Sequence, residues 1–453
     1  MESKLMKSNR LHQDQQTFLY TGLKEMLNPE EPLYQLSEKI PWIELEKAFT
    51  KYYIEFGRPA KPIRLMVSLL LLKQMYNLGD ETVIGQWIQN PYWQYFSGEK
   101  EFQWKFPVEP SDLVHFRKRI GQEGINKILE ISITIHGKAA QEKEVVVDTT
   151  VQEKNITFPT DIKLHKRIIE HCRKIAEAEG IEQRQSYKRT VKKLIMAQRF
   201  RNHPKNKKKA LQAARKMKTI AGRMVREIER ELGSEQKEKY SSSIDIYNRI
   251  LSQKKTDKEK IYSIHEPEVY CISKGKEHKK YEFGSKASIV ITRQSGIIVG
   301  AYSLEKNEYD GHTLPKALEQ CEQLRGSRPK VAIVDRGYKG SSRIGGTEIL
   351  LPTAPKKATS EYEKRKARAR FRRRAAIEPV IGHLKTDTRL SRNFLKGIIG
   401  DAVNVMLAAA AFNFRKWMRK RRYFLGLFYK SLESNILRFL ELILSTPNLI
   451  MTF

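Results

Sequence analysis

Three acidic residues have the type and the surroundings that divalent-cation chemistry needs. Asp148 closes the short β-branched run EVVVD, and Asp335 closes a second apolar run, KVAIVD. Glu378 follows a strongly basic segment, on a predicted helix. Carboxylates at the ends of buried strands project into the crevice where α/β sheets bind ligands. Because converging carboxylates raise each other's pKa, such a cluster is expected around hard cations with oxygen ligands.

The chemistry that this cluster would support is phosphodiester cleavage. Two divalent ions about 4 Å apart can activate water on one side and stabilise the leaving oxygen on the other. The structural alternative is that each acid only caps the turn after its strand, as acids commonly do. The order of the elements and the flanking residues favour the catalytic interpretation.

The elements that must position these acids follow one another in a suggestive order. Two strand-like runs at 285–292 and 296–304 flank a short polar turn and predict a hairpin. An amphipathic helix, Thr313–Arg325, leads to the strand that ends in Asp335, and a further strand and helix follow. Apart from an inserted basic segment, this is the order of a ribonuclease H-like α/β core, a mixed sheet with flanking helices.

Composition shifts along the chain predict five regions. Residues 1–140 are predicted to form an all-helical N-terminal domain suited to DNA binding or oligomerisation. The catalytic core is predicted in two parts, 141–161 and 261–422, which are separated by a basic helical insertion at 162–260. Residues 423–453 are predicted to form an apolar tail.

The charge of the chain indicates its partner. Lys and Arg number 85 against 52 Asp and Glu, a formal net charge of +33. Self-repulsion of this size is usually compensated by a polyanion, so a nucleic acid is expected first and an anionic membrane second. The three cysteines form no CxxC pair, which argues against a disulfide framework and a zinc cluster. No apolar leader segment opens the sequence, so a cytoplasmic protein without a membrane role is expected.

Three short motifs around the acids carry a family resemblance. Asp148-Thr149-Thr150 resembles the first signature of DDE transposases in the insertion sequence five group, and Val334-Asp335-Arg336-Gly337-Tyr338 resembles the second. The third signature is Tyr, two residues, Arg, three residues, Glu, six residues, Lys. Here Arg374, Glu378 and Lys385 stand at those spacings, and Phe371 replaces the tyrosine. The segments 56–98, 110–120, 265–267 and 309–314 also resemble the group, so the likeness covers most of the chain.

The resemblance implies a transposase that cleaves the ends of an insertion sequence and transfers the freed 3′-hydroxyl ends into target DNA. It implies that Asp148, Asp335 and Glu378 bind two Mg²⁺ or Mn²⁺ ions. It further implies that Arg374 and Lys385 contact phosphate near the scissile bond. The partners implied are double-stranded DNA, both transposon ends and target, and further copies of the chain in a dimer or higher oligomer.

Two basic segments are predicted to contact DNA as well. Residues 183–231 contain 17 Lys and Arg against three acids, and a solvated helical face is the alternative. From this segment we select Lys192, Lys193, Arg199 and Arg201. The run 364–374 has eight Lys and Arg and no acid. Its position beside Glu378 favours phosphate contact at the active site, and Arg372, Arg373 and the motif residue Arg336 are included for that reason.

Other functions and other candidates stay open at this stage. The rival functions are a metal-dependent nuclease on the same fold and an inactivated or domesticated DNA-binding protein. The aromatic cluster at 92–106 suits a helical core better than base stacking, and His312 suits a turn better than catalysis. Arg117, Lys118 and Arg119 form a weaker hypothesis of DNA contact from a helix-turn-helix-like unit.

Overall fold

The structure is a computed structural model that describes residues 22–54, 59–254, 256–273, 280–352 and 360–444. The side chains of 366, 367, 370, 373 and 422–444 lie outside this description. Residues 1–21 and 55–58 of the predicted N-terminal domain and residues 445–453 of the apolar tail 423–453 also lie outside the described residues. The five domain boundaries stay a prediction.

Among the described residues, seven α-helices precede the sheet. They are α1 (Leu23–Met26), α2 (Pro32–Lys39), α3 (Trp42–Phe49), α4 (Ile63–Met75), α5 (Asp80–Trp87), α6 (Pro91–Phe96) and α7 (Pro110–Thr134). Helix α4 is apolar on nearly all sides, the pattern of a helix buried on every face, and 12 of its 13 residues are buried. Helix α7 begins at Pro110, with Glu109 as its N-cap. Pro110 occupies the first turn, and the Asp112 carboxylate accepts the backbone N–H of Glu109 at 2.9 Å.

Eight strands form one mixed sheet. They are β1 (Glu144–Lys154), β2 (Tyr270–Ser273), β3 (Tyr281–Thr292), β4 (Ile298–Ser303), β5 (Val331–Ile333), β6 (Arg343–Ile344), β7 (Thr347–Leu350) and β8 (Arg392–Asn393). The order is β2-β3-β1-β5-β7-β6, with β4 paired to β3 and β8 paired to β1. Strand β1 is central, antiparallel to β3 and parallel to β5. The predicted hairpin is β3 and β4, and this topology agrees with the expected ribonuclease H-like core.

The segment between β1 and β2 forms four helices. They are α8 (Asp161–Ala178), α9 (Lys188–Met196), α10 (Pro204–Glu231) and α11 (Ser234–Ser252). They share a hydrophobic cluster of their own, which includes Ile168, Met217 and Met224. The basic stretch at 205–209 lies in the first turns of α10. Pro204 is the first residue of α10, and a proline starts a helix easily because its missing N–H has no helical partner there.

Four helices complete the core: α12 (Asp310–Arg325), α13 (Glu361–Arg372), α14 (Ile377–Asp387) and α15 (Gly397–Leu444). The predicted helix that carries Glu378 is α14, and the 3-10 turn Arg373–Ala376 separates it from α13. In α15, the stretch Gly397–Arg421 is long and apolar enough to cross a membrane. However, 83% of its most apolar window is buried inside the protein.

One hydrophobic cluster joins the N-terminal helices to the sheet. It runs from α2–α7 through β1, β3, β4 and β5 to the buried face of α15, where Val405 and Ala408 to Ala411 are fully enclosed. Helix α15 packs mainly on α7, α4 and β4. The sheet that carries the acids is thus supported on one side by helices from both ends of the chain.

Candidate active site

Asp148 lies in the middle of β1 and does not end it. The strand continues to Lys154, because β3 pairs with it from Val145 to Glu153 and β8 adds parallel pairs at Glu153 and Lys154. The expectation that Asp148 closes its strand is therefore wrong. Its side chain is 19% exposed, and one of its oxygens accepts the backbone N–H of Thr149 at 2.8 Å. The carboxylate is held close to the backbone at a fixed position on the central strand.

Asp335 follows β5, the parallel neighbour of β1. The register pairs Val146 with Ile333, so each aspartate lies two residues after a paired position. The Asp335 side chain caps a 3-10 turn by accepting the backbone N–H of Gly337 at 2.7 Å. Since parallel neighbours end at the same edge of a sheet, the register brings the two aspartates to one place.

Arg374 connects these two aspartates. Its Nη2 lies 3.8 Å from Oδ2 of Asp148 and 3.7 Å from Oδ2 of Asp335. Its Nε is buried and, within the described part of the chain, has no hydrogen-bond partner. The two carboxylates thus face one cationic group from two strands. A pair of oxygen donors arranged around positive charge fits a hard divalent cation such as Mg²⁺ or Mn²⁺.

Glu378 is placed differently from the two aspartates. It lies exposed in the first turn of α14, four residues after Arg374 on a continuous helical segment. Among the described residues, no group of three or more His, Cys, Asp or Glu is arranged to hold a metal ion. The structure therefore brings Asp148 and Asp335 together, and the convergence of Glu378 with them stays a prediction.

Asp310 belongs to this site, although sequence reasoning did not select it. Its Oδ1 accepts the Thr149 hydroxyl at 3.0 Å, next to Asp148 in the chain, and receives the Lys286 ammonium at 3.0 Å. Its Oδ2 lies near Gly337, since a Cβ atom built on that glycine would be 3.7 Å from this oxygen. Asp310 thus reaches both aspartate-bearing segments. The available signal was its position in the 309–314 segment that resembles the family.

The electrostatics of the site are visible at Tyr338. This side chain is 2% exposed. Burial raises its pKa well above the usual range, and the nearby charges of Asp148, Asp310 and Asp335 raise the pKa further. Three carboxylates lie near one phenol, and Arg374 and Lys286 offset only part of their negative charge. The electrostatic potential around Tyr338 is therefore negative. Such a potential attracts cations.

The other predicted DNA-binding residues occupy two separate surfaces. Lys385 on α14 lies 4.0 Å from Glu282, and Arg336 is exposed and donates through Nε to the carbonyl of Pro352 at 3.2 Å. Arg372 is exposed at the end of α13, whereas the side chain of Arg373 lies outside the described residues. The second surface is in the insertion, where Lys192, Lys193, Arg199 and Arg201 are all exposed.

Similarity to known proteins agrees with this geometry. Residues 22–119 match a family described as Transposase domain (DUF772), and residues 253–414 match the Transposase DDE domain. The second match includes Asp335 and Glu378, while Asp148 lies before it. The chain is also 40% identical, over 184 residues, to the uncharacterized protein ORF8 in the nfe locus of Rhizobium meliloti. That alignment covers 39% of this chain and 89% of the relative.

No solved structure matches the chain significantly. The family assignment therefore depends on the two domain matches, the relative, and the acids on adjacent parallel strands of a ribonuclease H-like sheet. The chain belongs to the DDE transposases of insertion sequences, and DNA is its substrate.

Proposed function

We propose that this transposase cleaves DNA at the ends of its insertion sequence in a metal-dependent reaction and joins the 3′-hydroxyl ends to target DNA. The observation that carries this proposal is the meeting of Asp148, within β1, and Asp335, just after the neighbouring strand β5, around Arg374. This arrangement combines oxygen donors with a phosphate-binding side chain.

The residues would divide the work as follows. Asp148, Asp335 and Glu378 would hold two Mg²⁺ or Mn²⁺ ions, with Glu378 approaching through a movement of α14. When bound, such ions activate water and stabilise the leaving oxygen in phosphodiester cleavage. Arg374 would exchange its two carboxylate neighbours for a DNA phosphate, to which a guanidinium can donate two parallel hydrogen bonds.

The remaining chain would position the DNA. Lys385 and the exposed arginines of α13 would contact the backbone near the scissile bond, and the insertion would contact it at a distance. Assembly of two or more copies on DNA would bring both ends of the element together. Phosphate contacts supply most of the affinity, whereas the acids serve the chemistry.

The test is to remove one charge at a time from the three acids. Asp148→Asn, Asp335→Asn and Glu378→Gln should each abolish cleavage of a duplex that carries the element's end. DNA binding should stay within a few-fold of wild type, because the phosphate contacts are retained. Cleavage is measured on labelled duplex with Mg²⁺ or Mn²⁺, and strand transfer with precut 3′-hydroxyl ends.

The matched control is Glu348→Gln, a charge removal at an exposed position of β7 in the same sheet. It should cleave normally. A near wild-type cleavage rate in any one of the three variants would show that the residue is not a ligand. Cleavage without strand transfer by the wild-type chain would favour a nuclease on the same fold.

A further inference from the structure

The insertion contains a cavity of about 360 Å³ between the start of α8 and the end of α9. Ile162 and Ile195 make part of its wall apolar, and three cations surround it: Lys163, Lys166 and Arg201. No acid lines it. Lys163 donates to the carbonyl of Phe158 at 2.9 Å, and Lys166 lies 3.3 Å from Glu170 further along α8. A small apolar space with a cationic rim suits a flat apolar group attached to an anion.

A polar atom in the wall of this cavity lacks a partner. Thr160 precedes α8 and lines the cavity, and its hydroxyl is buried without a hydrogen bond to any described residue. Buried hydroxyls are normally satisfied, because an unmade hydrogen bond costs free energy. A ligand with an edge that donates or accepts hydrogen bonds would satisfy this one.

Beside the cavity, a bulky apolar side chain points into solvent. Phe200 is 79% exposed, and its φ of 54° is in the left-handed region that bulky residues rarely adopt. It stands between Arg199 and Arg201 in the turn 197–202, which joins α9 to α10. Gln198 anchors that turn by donating to the carbonyl of Ala210 at 2.6 Å. The aromatic ring is therefore exposed to solvent, on a residue whose two chain neighbours are exposed arginines.

We propose that Phe200 inserts between base pairs of bound duplex DNA and that the neighbouring cavity receives the displaced base. Apolar side chains inserted at base steps unstack the duplex. An extruded base needs a pocket with apolar walls and a few hydrogen-bonding groups, and here Thr160 supplies a hydroxyl. The cations around the cavity would bind the phosphates on either side of the extruded nucleotide.

This inference deepens the proposed function and rests on it, because it specifies the conformation of the DNA that the insertion binds. The combination of cavity and wedge favours binding of an extruded nucleotide, with its base in the cavity, over binding of a phosphate alone. A simple phosphate site would need the cations alone. Neither the apolar wall nor the exposed ring would contribute to it.

The experiment uses duplexes that carry the element's end and its flanking DNA, with the fluorescent base 2-aminopurine at successive positions. Binding of the wild-type chain should raise the fluorescence at one or two positions, where the base becomes unstacked. Phe200→Ala should lose this rise, while its affinity falls by no more than about tenfold because phosphate contacts supply most of the binding. Thr160→Val should keep the wedge and reduce the rise.

The matched control is Leu211→Ala, which shortens another exposed apolar side chain of the insertion, on α10. It should leave the fluorescence rise unchanged. An undiminished rise in Phe200→Ala, or DNA binding by the wild-type chain without a rise at any position, would overturn this inference alone. Failure of the wild-type chain to bind end DNA would instead contradict the proposed function. Thermal melts establish that each variant is folded.

Discussion

The acids of the active site depend on side chains that arrive from other elements. Thr149, next to Asp148, donates to Asp310 at the start of α12, and Lys286 of β3 neutralises the same carboxylate. Lys286 also donates to the carbonyl of Glu308 at 2.8 Å. We therefore expect Asp310 to act on Asp148 through its neighbour Thr149, as a positioning residue. Groups of this kind orient ligands and tune their basicity.

At this scale we predict that Asp310→Asn lowers the cleavage rate by roughly 10- to 100-fold, the usual cost of losing a partner that orients a ligand. The amide keeps the shape but loses the charge that attracts Lys286. The Mn²⁺ concentration for half-maximal cleavage should rise, a change that general destabilisation does not produce. Cleavage is measured across a Mn²⁺ titration at saturating DNA.

The control for this prediction is Glu308→Gln, since the contact of that residue with Lys286 is made by its backbone carbonyl. Its cleavage rate and Mn²⁺ dependence should match wild type. If Asp310→Asn has the wild-type Mn²⁺ dependence, Asp310 does not act on the ligands.

At the scale of elements, an ion-pair network joins α4, α5 and α7. Asp80 accepts two hydrogen bonds from Arg117, at 2.9 and 2.7 Å, and one from Lys73 at 2.7 Å. The Arg117 side chain is only 7% exposed, so the hypothesis that it contacts DNA is wrong. Burial raises the pKa of Asp80, but Arg117 and Lys73 lower it more strongly, to about 2.

We predict that Asp80→Asn destabilises the protein by about 3–5 kcal/mol, because two buried cations lose their counter-charge. The measurement is urea unfolding at pH 7. A triple variant, Asp80→Leu with Lys73→Met and Arg117→Met, should recover most of this loss because no buried charge is left. Equal destabilisation by both variants would indicate a packing defect instead of electrostatics.

The same network determines a dependence of stability on pH. The pKa of Asp80 is depressed, so its contribution is complete above about 4, the unfolded value, and is lost as the pH falls towards 2. Burial, followed by the Arg117 charge, lowers the pKa of Lys73 to about 8. The pH dependence that Lys73 adds to the free energy of unfolding has the opposite sign. The charged form of Lys73 destabilises the folded protein, and this destabilisation disappears as the pH rises from about 8 towards the unfolded pKa of 10.5.

At the scale of the whole molecule, positive charge is concentrated on an insertion that has its own hydrophobic core. We predict that neutralising Lys192, Lys193, Arg199 and Arg201 together weakens DNA binding and flattens its salt dependence. Each lost phosphate contact reduces the slope of log affinity against log salt by about 0.9. Affinity is measured between low and physiological salt, and cleavage of fully bound DNA should persist.

The control removes four lysines from another part of the same insertion: Lys237, Lys254, Lys258 and Lys260, which stand among acids on and after α11. Its slope should change less than that of the first quadruple variant. Equal slopes in the first variant and wild type would assign the four residues to a solvated face and move DNA binding elsewhere.

Local patterns were enough to predict the catalytic fold. The β-branched runs before Asp148 and Asp335, and the hairpin signal between them, depend on neighbouring residues along the chain, and they predict the presence of strands β1, β3, β4 and β5, although not the full length of β1. The run of leucines in α4 is likewise a local pattern that indicates a buried helix. The net charge and the three motifs indicated a DNA substrate and the transposase family, both of which the domain matches support.

Tertiary structure decided what depends on distant partners. Strand β1 extends past Asp148 because β3 and β8 pair with it, and these strands occur more than 100 residues later in the chain. Asp310 joins the site because β3 and α12 meet beside β1, and Arg117 is buried because α4 and α5 supply its counter-charge and cover. Strand pairing and ion pairing join residues far apart in the chain, and the periodicity of a single segment does not specify the partner of either.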